Sequence, residues 1–162
     1  MKLSYKKSDI LRGALIYTTG DTIASLLLNE FSIIRLLGMA LIGATIYAFE
    51  IPNYFAWIDR KVSTNNDSIS SLKRTGLALL YFNPVWIARH LLFINIFKRN
   101  FSQIGFGLLS IGLYSFLVNI PVSLIMNYLI QNKIPLKWRF AASATFSALM
   151  AIYYAAGEVL FK

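Results

Sequence analysis

Five long apolar runs, each close to the length of a membrane crossing and joined only by short polar connections, restrict what this chain can fold into. A helix rising ~1.5 Å per residue needs about 20 apolar residues to cross a hydrocarbon layer ~30 Å thick. The runs fall at 13–29, 36–58, 75–97, 104–131 and 140–161. They predict an all-α, polytopic integral membrane bundle of about five transmembrane helices, a single domain over residues 1–162. The first run is the most polar, with Thr18, Thr19, Gly20, Asp21 and Thr22 at its middle. Composition agrees with the pattern: 57% of residues are hydrophobic and 14% charged, against about 25% charged in soluble domains. Such a chain is neither disordered nor a large soluble catalytic domain. It has no cysteine, which excludes disulfides and thiolate metal sites.

The net charge of +9 is read by position. With the N-terminus inside, the inner side holds Lys2, Lys6, Lys7, Arg12, Arg60, Lys61, Lys73, Arg74, Lys133, Lys137 and Arg139, and the outer side Arg35, Lys98, Arg99 and Lys162. Basic residues favour the cytoplasmic face, so the N-terminus is expected in the cytoplasm and the C-terminus outside. Anionic lipid is a secondary partner for these charges. Nucleic acid is not expected, because the bases lie on separate loops rather than one face. The basic start Met-Lys-Leu-Ser-Tyr-Lys-Lys is followed by neither a uniformly apolar signal segment nor an Arg-rich transit pattern. That favours a bacterial cytoplasmic membrane over an organelle membrane. The Ser/Asn-rich stretch from Ser63 to Ser71 is expected to be an exposed loop.

Asp21, Glu50, Arg89 and His90 fall inside the runs, with Glu158 nearer an end. A charge at mid-bilayer carries an insertion cost of about 2.5–3.5 kcal/mol, so it faces a partner or a wet cavity. Depth along the helices pairs Asp21 with Arg89, Glu50 being the competing acid. These groups either line a polar route for a small solute or lock helices together, and on the first alternative neutralising Asp21 changes flux without unfolding the bundle. Pro52, Pro84 and Pro121 interrupt runs and are accompanied by Asn53, Asn83 and Asn119. A proline frees a backbone carbonyl, so these kinks either open polar backbone to a cavity or improve packing. Asp59 and Arg60 form an expected boundary or gating pair, with Arg139 at the same side. Small residues Ser143, Ser147, Ala151 and Ala155, and Gly105, Gly107 and Gly112, form stripes that fit this bundle or a second copy of the chain. Trp57 and Trp138 fit the inner interface. No phosphate loop, metal-ligand cluster or nucleophile–base set is present, so no enzyme, cofactor or metal is expected.

Two family resemblances follow from the motifs. Gly20-Asp21, Tyr54-Phe55-Ala56-Trp57-Ile58-Asp59-Arg60, Leu72-Lys73-Arg74 with Phe82 and Pro84, Pro121 with Asn127, and Ile134-Pro135-Leu136-Lys137-Trp138-Arg139 resemble, in order and spacing, the Mpv/PMP-type small membrane proteins of peroxisomes and mitochondrial inner membranes. The chain departs from that pattern at Ser25, Ala78, Leu79, Met150 and Ala151. Asp21-Thr22 with Ala24, and Phe82-Asn83-Pro84-Val85-Trp86, are similar to the bacterial L-alanine exporter family, whose members have four spans. Both resemblances imply passage of small solutes, by a channel in one case and by export in the other. The expected function is therefore passage of small polar solutes along Asp21, Glu50, Arg89, His90, Asn83, Asn119 and Asn127. The rival from another class is a membrane scaffold or assembly subunit.

Overall fold

A computed structural model describes residues 3–64 and 67–160, without the side chains of Glu158 and Leu160. Lys2, Lys162, the side chain of Glu158, and Asn65 and Asn66 within the Ser63–Ser71 stretch therefore lie outside the described residues. Every regular element among the described residues is helical. Helix α1 spans Lys7–Leu27 and α2 Ile33–Ile42; a π-helical turn, Gly43–Tyr47, runs directly into α3, Ala48–Lys61. Helix α4 is Ser68–Tyr81, α5 Pro84–Phe97, α6 Gly107–Lys133 and α7 Leu136–Leu160.

Four helical stretches among the described residues are long and apolar enough to cross a membrane: Ile33–Lys61, Ser68–Phe97, Gly107–Lys133 and Leu136–Gly157. The first expected span, 13–29, is helical within α1 but is not among them. Its own sequence explains this, since Lys7, Asp9, Arg12 and Asp21 all sit on α1. The expected third span, 75–97, is two helices rather than one kinked helix. The residue before a proline avoids the α region, and Asn83 is extended (φ −73°, ψ 174°), ending α4 at Tyr81. Asn83 then caps α5 by accepting the Trp86 N–H at 3.0 Å, with Pro84 in the first turn, where its missing N–H is no loss. Pro52 and Pro121, by contrast, lie inside α3 and α6. Ser68–Ser71, expected in a loop, form the first turn of α4, because Asp67 caps that helix by accepting the Ser70 N–H at 2.9 Å.

Two helix ends use a left-handed residue without glycine. Asn29 (φ 56°) follows α1, with Asn29 N–H bonded to Leu26 O at 3.1 Å and Glu30 N–H to Ser25 O at 2.8 Å. Arg99 (φ 57°) does the same after α5, with bonds to Ile96 O at 3.0 Å and from Asn100 N–H to Asn95 O at 2.9 Å. Both are Schellman closures, which satisfy carbonyls at the helix end and turn the chain back.

The chain forms two compact units. One comprises the residues up to Asn53 together with those from Phe140 onward. In it α1 packs against α2 and the π-helical turn, and Gly20 lies against the backbone and Cβ of Ala148 on α7. Its core includes Tyr17, Met39, Tyr47 and Ile51, the Tyr17 and Tyr47 rings being 4.6 Å apart. The other unit is Tyr54–Arg139, where α4 and α5 both pack on α6. Gly112 of α6 permits the closest approach there, since a Cβ on it would lie 2.5 Å from Pro84 O. Gly105 and Gly107, by contrast, have open space around them.

Candidate functional site

In the first unit the polar centre is an ion pair between α1 and α2. Arg35 donates Nε to Asp21 Oδ2 at 2.8 Å and Nη2 to Asp21 Oδ1 at 2.7 Å. The planar fork meets both carboxylate oxygens, with Asp21 6% and Arg35 5% exposed. Glu30 accepts a longer contact from Arg35 Nη1 at 3.4 Å, from a more exposed position. The Schellman turn after Leu27 produces this geometry, because it folds the start of α2 back along the end of α1. Arg35, counted above as an outer-loop charge, is the third residue of α2 and buried. The expected Asp21–Arg89 pairing is therefore corrected: both oxygens of Asp21 are engaged by Arg35. Beside the pair, the buried Thr18 and Thr22 hydroxyls make no hydrogen bond, whereas Ser25 donates to Thr22 O at 2.9 Å.

In the second unit Arg139 gathers the partners. Its Nη1 donates to Asp59 Oδ1 at 2.6 Å and, at 3.4 Å, to Gln131 Oε1; its Nε donates to Ile134 O at 2.9 Å. The expected Asp59–Arg60 pair is thereby replaced by Asp59–Arg139. Adjacent residues on a helix point in different directions, and Arg60 is exposed. Gln131 is wholly buried, and its Nε2 has no hydrogen-bond partner. We expect Arg139→Gln to destabilise the fold by about 2–3 kcal/mol, below the range for a fully buried pair because Asp59 keeps some water. Chemical unfolding of Arg139→Gln and Asp59→Asn checks this, and a loss under ~0.5 kcal/mol in both would mean that the pair holds nothing together.

The remaining expected residues divide. Glu50 is half-buried in the first turn of α3. Arg89 and His90 are half-buried on α5, and the His90 ring stacks on Trp86 at 5.7 Å with planes 4° apart. Five asparagines share one habit: Asn53, Asn95, Asn119, Asn127 and Asn132 each donate Nδ2 to the carbonyl four residues earlier, at 2.6–3.1 Å. One N–H of each amide thus serves its own helix, while Asn132 also donates to Ser71 O at 3.3 Å and Thr75 Oγ1 at 3.2 Å on α4. Asn53 also holds the N-terminal segment, accepting Ser4 N–H at 2.9 Å and donating to Ser4 O at 2.7 Å.

No grouping of three or more His, Cys, Asp or Glu suited to a metal occurs among the described residues. Compared with protein-family models, curated proteins and solved structures, the chain matches none.

Proposed function

We propose that this chain is an integral membrane protein that passes small polar solutes across a bacterial cytoplasmic membrane. The observation that carries the membrane part is its polarity. Large apolar side chains such as Leu11, Leu37, Tyr114, Ile125 and Leu149 are exposed, while Asp21, Arg35, Arg74, Gln131 and Arg139 are buried. A protein solvated by water keeps charges outside, whereas one solvated by lipid turns its charges inward. On this reading the four long apolar stretches cross the bilayer and α1 is the fifth, polar member.

The transport part rests on chemistry. A carboxylate and a guanidinium held together are complementary to the ammonium and carboxylate of a zwitterion such as L-alanine. A bound amino acid exchanges one internal ion pair for two to the solute, and Thr18, one turn before Asp21, offers a hydroxyl without a partner. The resemblance to the alanine exporters at Asp21-Thr22 and Phe82-Asn83-Pro84 supports the same class of solute.

The test is release from proteoliposomes loaded with labelled L-alanine and a graded set of neutral and charged solutes. Wild type is compared with Thr18→Val and Thr22→Val, which leave the ion pair intact. We expect saturable alanine release, lowered several-fold in Thr18→Val with unchanged Tm. Non-saturable release with a size cut-off identifies a channel instead. Release no greater than from empty liposomes sinks transport altogether.

One observation favours a second reading, a scaffold or assembly subunit: Asp21 and Asp59 each already hold an arginine, as structural locks do. Blue-native electrophoresis separates the two, since a stable mixed complex marks the scaffold and a monomer or homo-oligomer the transporter.

A further inference from the structure

A guanidinium carries five N–H donors and a charge that no neutral partner cancels, and burial makes both expensive to leave unmet. Arg35 and Arg139 meet this requirement with carboxylates. Arg74 on α4 does not. It is 2% exposed, yet among the described residues its one hydrogen bond runs from Nε to Asn132 Oδ1 at 3.0 Å, and it forms no ion pair.

The neutral partner is itself fixed. Asn132 Nδ2 donates to Tyr128 O at 2.9 Å, Thr75 Oγ1 at 3.2 Å and Ser71 O at 3.3 Å. That holds Oδ1 toward Arg74 Nε and leaves the two Nη atoms unspent. The acid nearest in sequence, Asp67, is exposed at the start of α4 and committed to the Ser70 N–H. That bond, with a smaller pull from Arg74, holds its carboxyl below the usual carboxylate range, but Asp67 makes no ion pair with Arg74. Exposed Lys73 and Lys133, next in sequence to Arg74 and Asn132, add a positive field that concentrates anions.

We propose that Arg74 is the centre of an oxyanion site that takes a phosphate group on its two Nη atoms, with Asn132 orienting the guanidinium from the Nε side. A fork of parallel N–H groups is the geometry that phosphate oxygens accept. Two sources supply that chemistry: the headgroup of an anionic phospholipid at the membrane boundary, and free phosphate. Only the lipid source rests on the membrane reading above.

The experiment melts wild type, Arg74→Gln, Arg74→Lys and the control Lys73→Gln in a zwitterionic detergent. Sodium phosphate, phosphatidylglycerol or phosphatidylcholine is added to each at constant ionic strength. We expect the wild-type Tm to rise by about 5 °C at saturating probe, with no rise in Arg74→Gln and the full rise in Lys73→Gln. Arg74→Lys keeps the charge without the fork, and its half-saturating concentration is expected to increase about tenfold; it carries the test if Arg74→Gln does not fold. A rise with phosphatidylglycerol alone assigns the site to a lipid headgroup, and a rise with sodium phosphate as well assigns it to free phosphate. No rise in wild type with either probe overturns the proposal, as does a rise in Arg74→Gln or Arg74→Lys matching that of wild type. Alkaline carbonate extraction of membranes keeps the two readings apart: a chain released by carbonate that retains the phosphate response loses the membrane reading and keeps the site.

Discussion

Asp21→Asn is expected to cost the fold about 3–5 kcal/mol, the range for breaking one side of a buried ion pair. The substitution is nearly isosteric, so packing is preserved and the loss is electrostatic. Arg35 then keeps its full charge at 5% exposure, with the partly exposed Glu30, 3.4 Å away, as its remaining carboxylate. Arg35→Gln is expected to fall in the same range, because it strands a carboxylate among apolar helices. The double substitution should recover much of the loss, two neutral amides being able to bond each other. The coupling read from this double-mutant cycle by thermal or denaturant unfolding should exceed ~1.5 kcal/mol. Additive single and double losses would mean that the two side chains do not depend on one another. This prediction revises the expectation that neutralising Asp21 alters flux alone, and it is why the transport test above uses Thr18 and Thr22.

The pair also shows where the sequence was readable and where it was not. The apolar runs marked the helical stretches, because burial length and hydropathy are local properties, but Pro84, expected only to kink the run 75–97 as Pro52 and Pro121 do theirs, instead separates α4 from α5. Arg35 stands immediately before the run 36–58, where a basic residue reads as a loop charge setting orientation. A signal was nonetheless present. Two antiparallel helices joined by a tight turn bring together residues equidistant from it, and Asp21 and Arg35 each stand seven positions from Leu28 (28 − 21 and 35 − 28). Arg89 satisfies no such relation. Depth in a bilayer, the criterion that paired it with Asp21, leaves the choice of neighbouring helix open.

The polar cluster around Arg139 and Arg74 was hidden for a different reason. Lys73, Arg74, Lys137 and Arg139 are equivalent in a positive-inside count, yet Arg74 and Arg139 are buried while Lys73 and Lys137 are exposed. Helical phase decides this, and it depends on which faces of α4 and α7 meet their neighbours. Likewise the asparagines beside prolines suggest polar openings. The amides of Asn53 and Asn119 bond back to their own helices, a local alternative always open to a short amide side chain, whereas Asn83 donates to Leu80 O at the end of α4 and caps α5.

The same hairpin register carries the second large prediction. Gly13 and Gly43 each stand fifteen positions from Leu28 (28 − 13 and 43 − 28), and here the backbones of α1 and the π-helical turn touch. A Cβ on Gly13 would collide with the carbonyl oxygen of Gly43 and lie 2.9 Å from its carbon. A Cβ on Gly43 would collide in turn with Gly13 O and lie 2.8 Å from Gly13 C. Backbone atoms on both sides leave no flexible side chain to move aside, so even alanine must push the helices apart. We expect Gly13→Ala and Gly43→Ala each to destabilise by about 2–3 kcal/mol. The widened crossing should also stretch the Asp21–Arg35 contact two turns away. Gly76 supplies the control, since it lies inside α4 with nothing within 4 Å of its would-be Cβ. There Gly→Ala should stabilise by ~0.5–1 kcal/mol through helix propensity and a less flexible unfolded chain. Opposite signs at Gly13 and Gly76, measured in one unfolding assay, are what a backbone-to-backbone crossing requires. A stabilised Gly13→Ala would mean that α1 and the π-helical turn do not meet there.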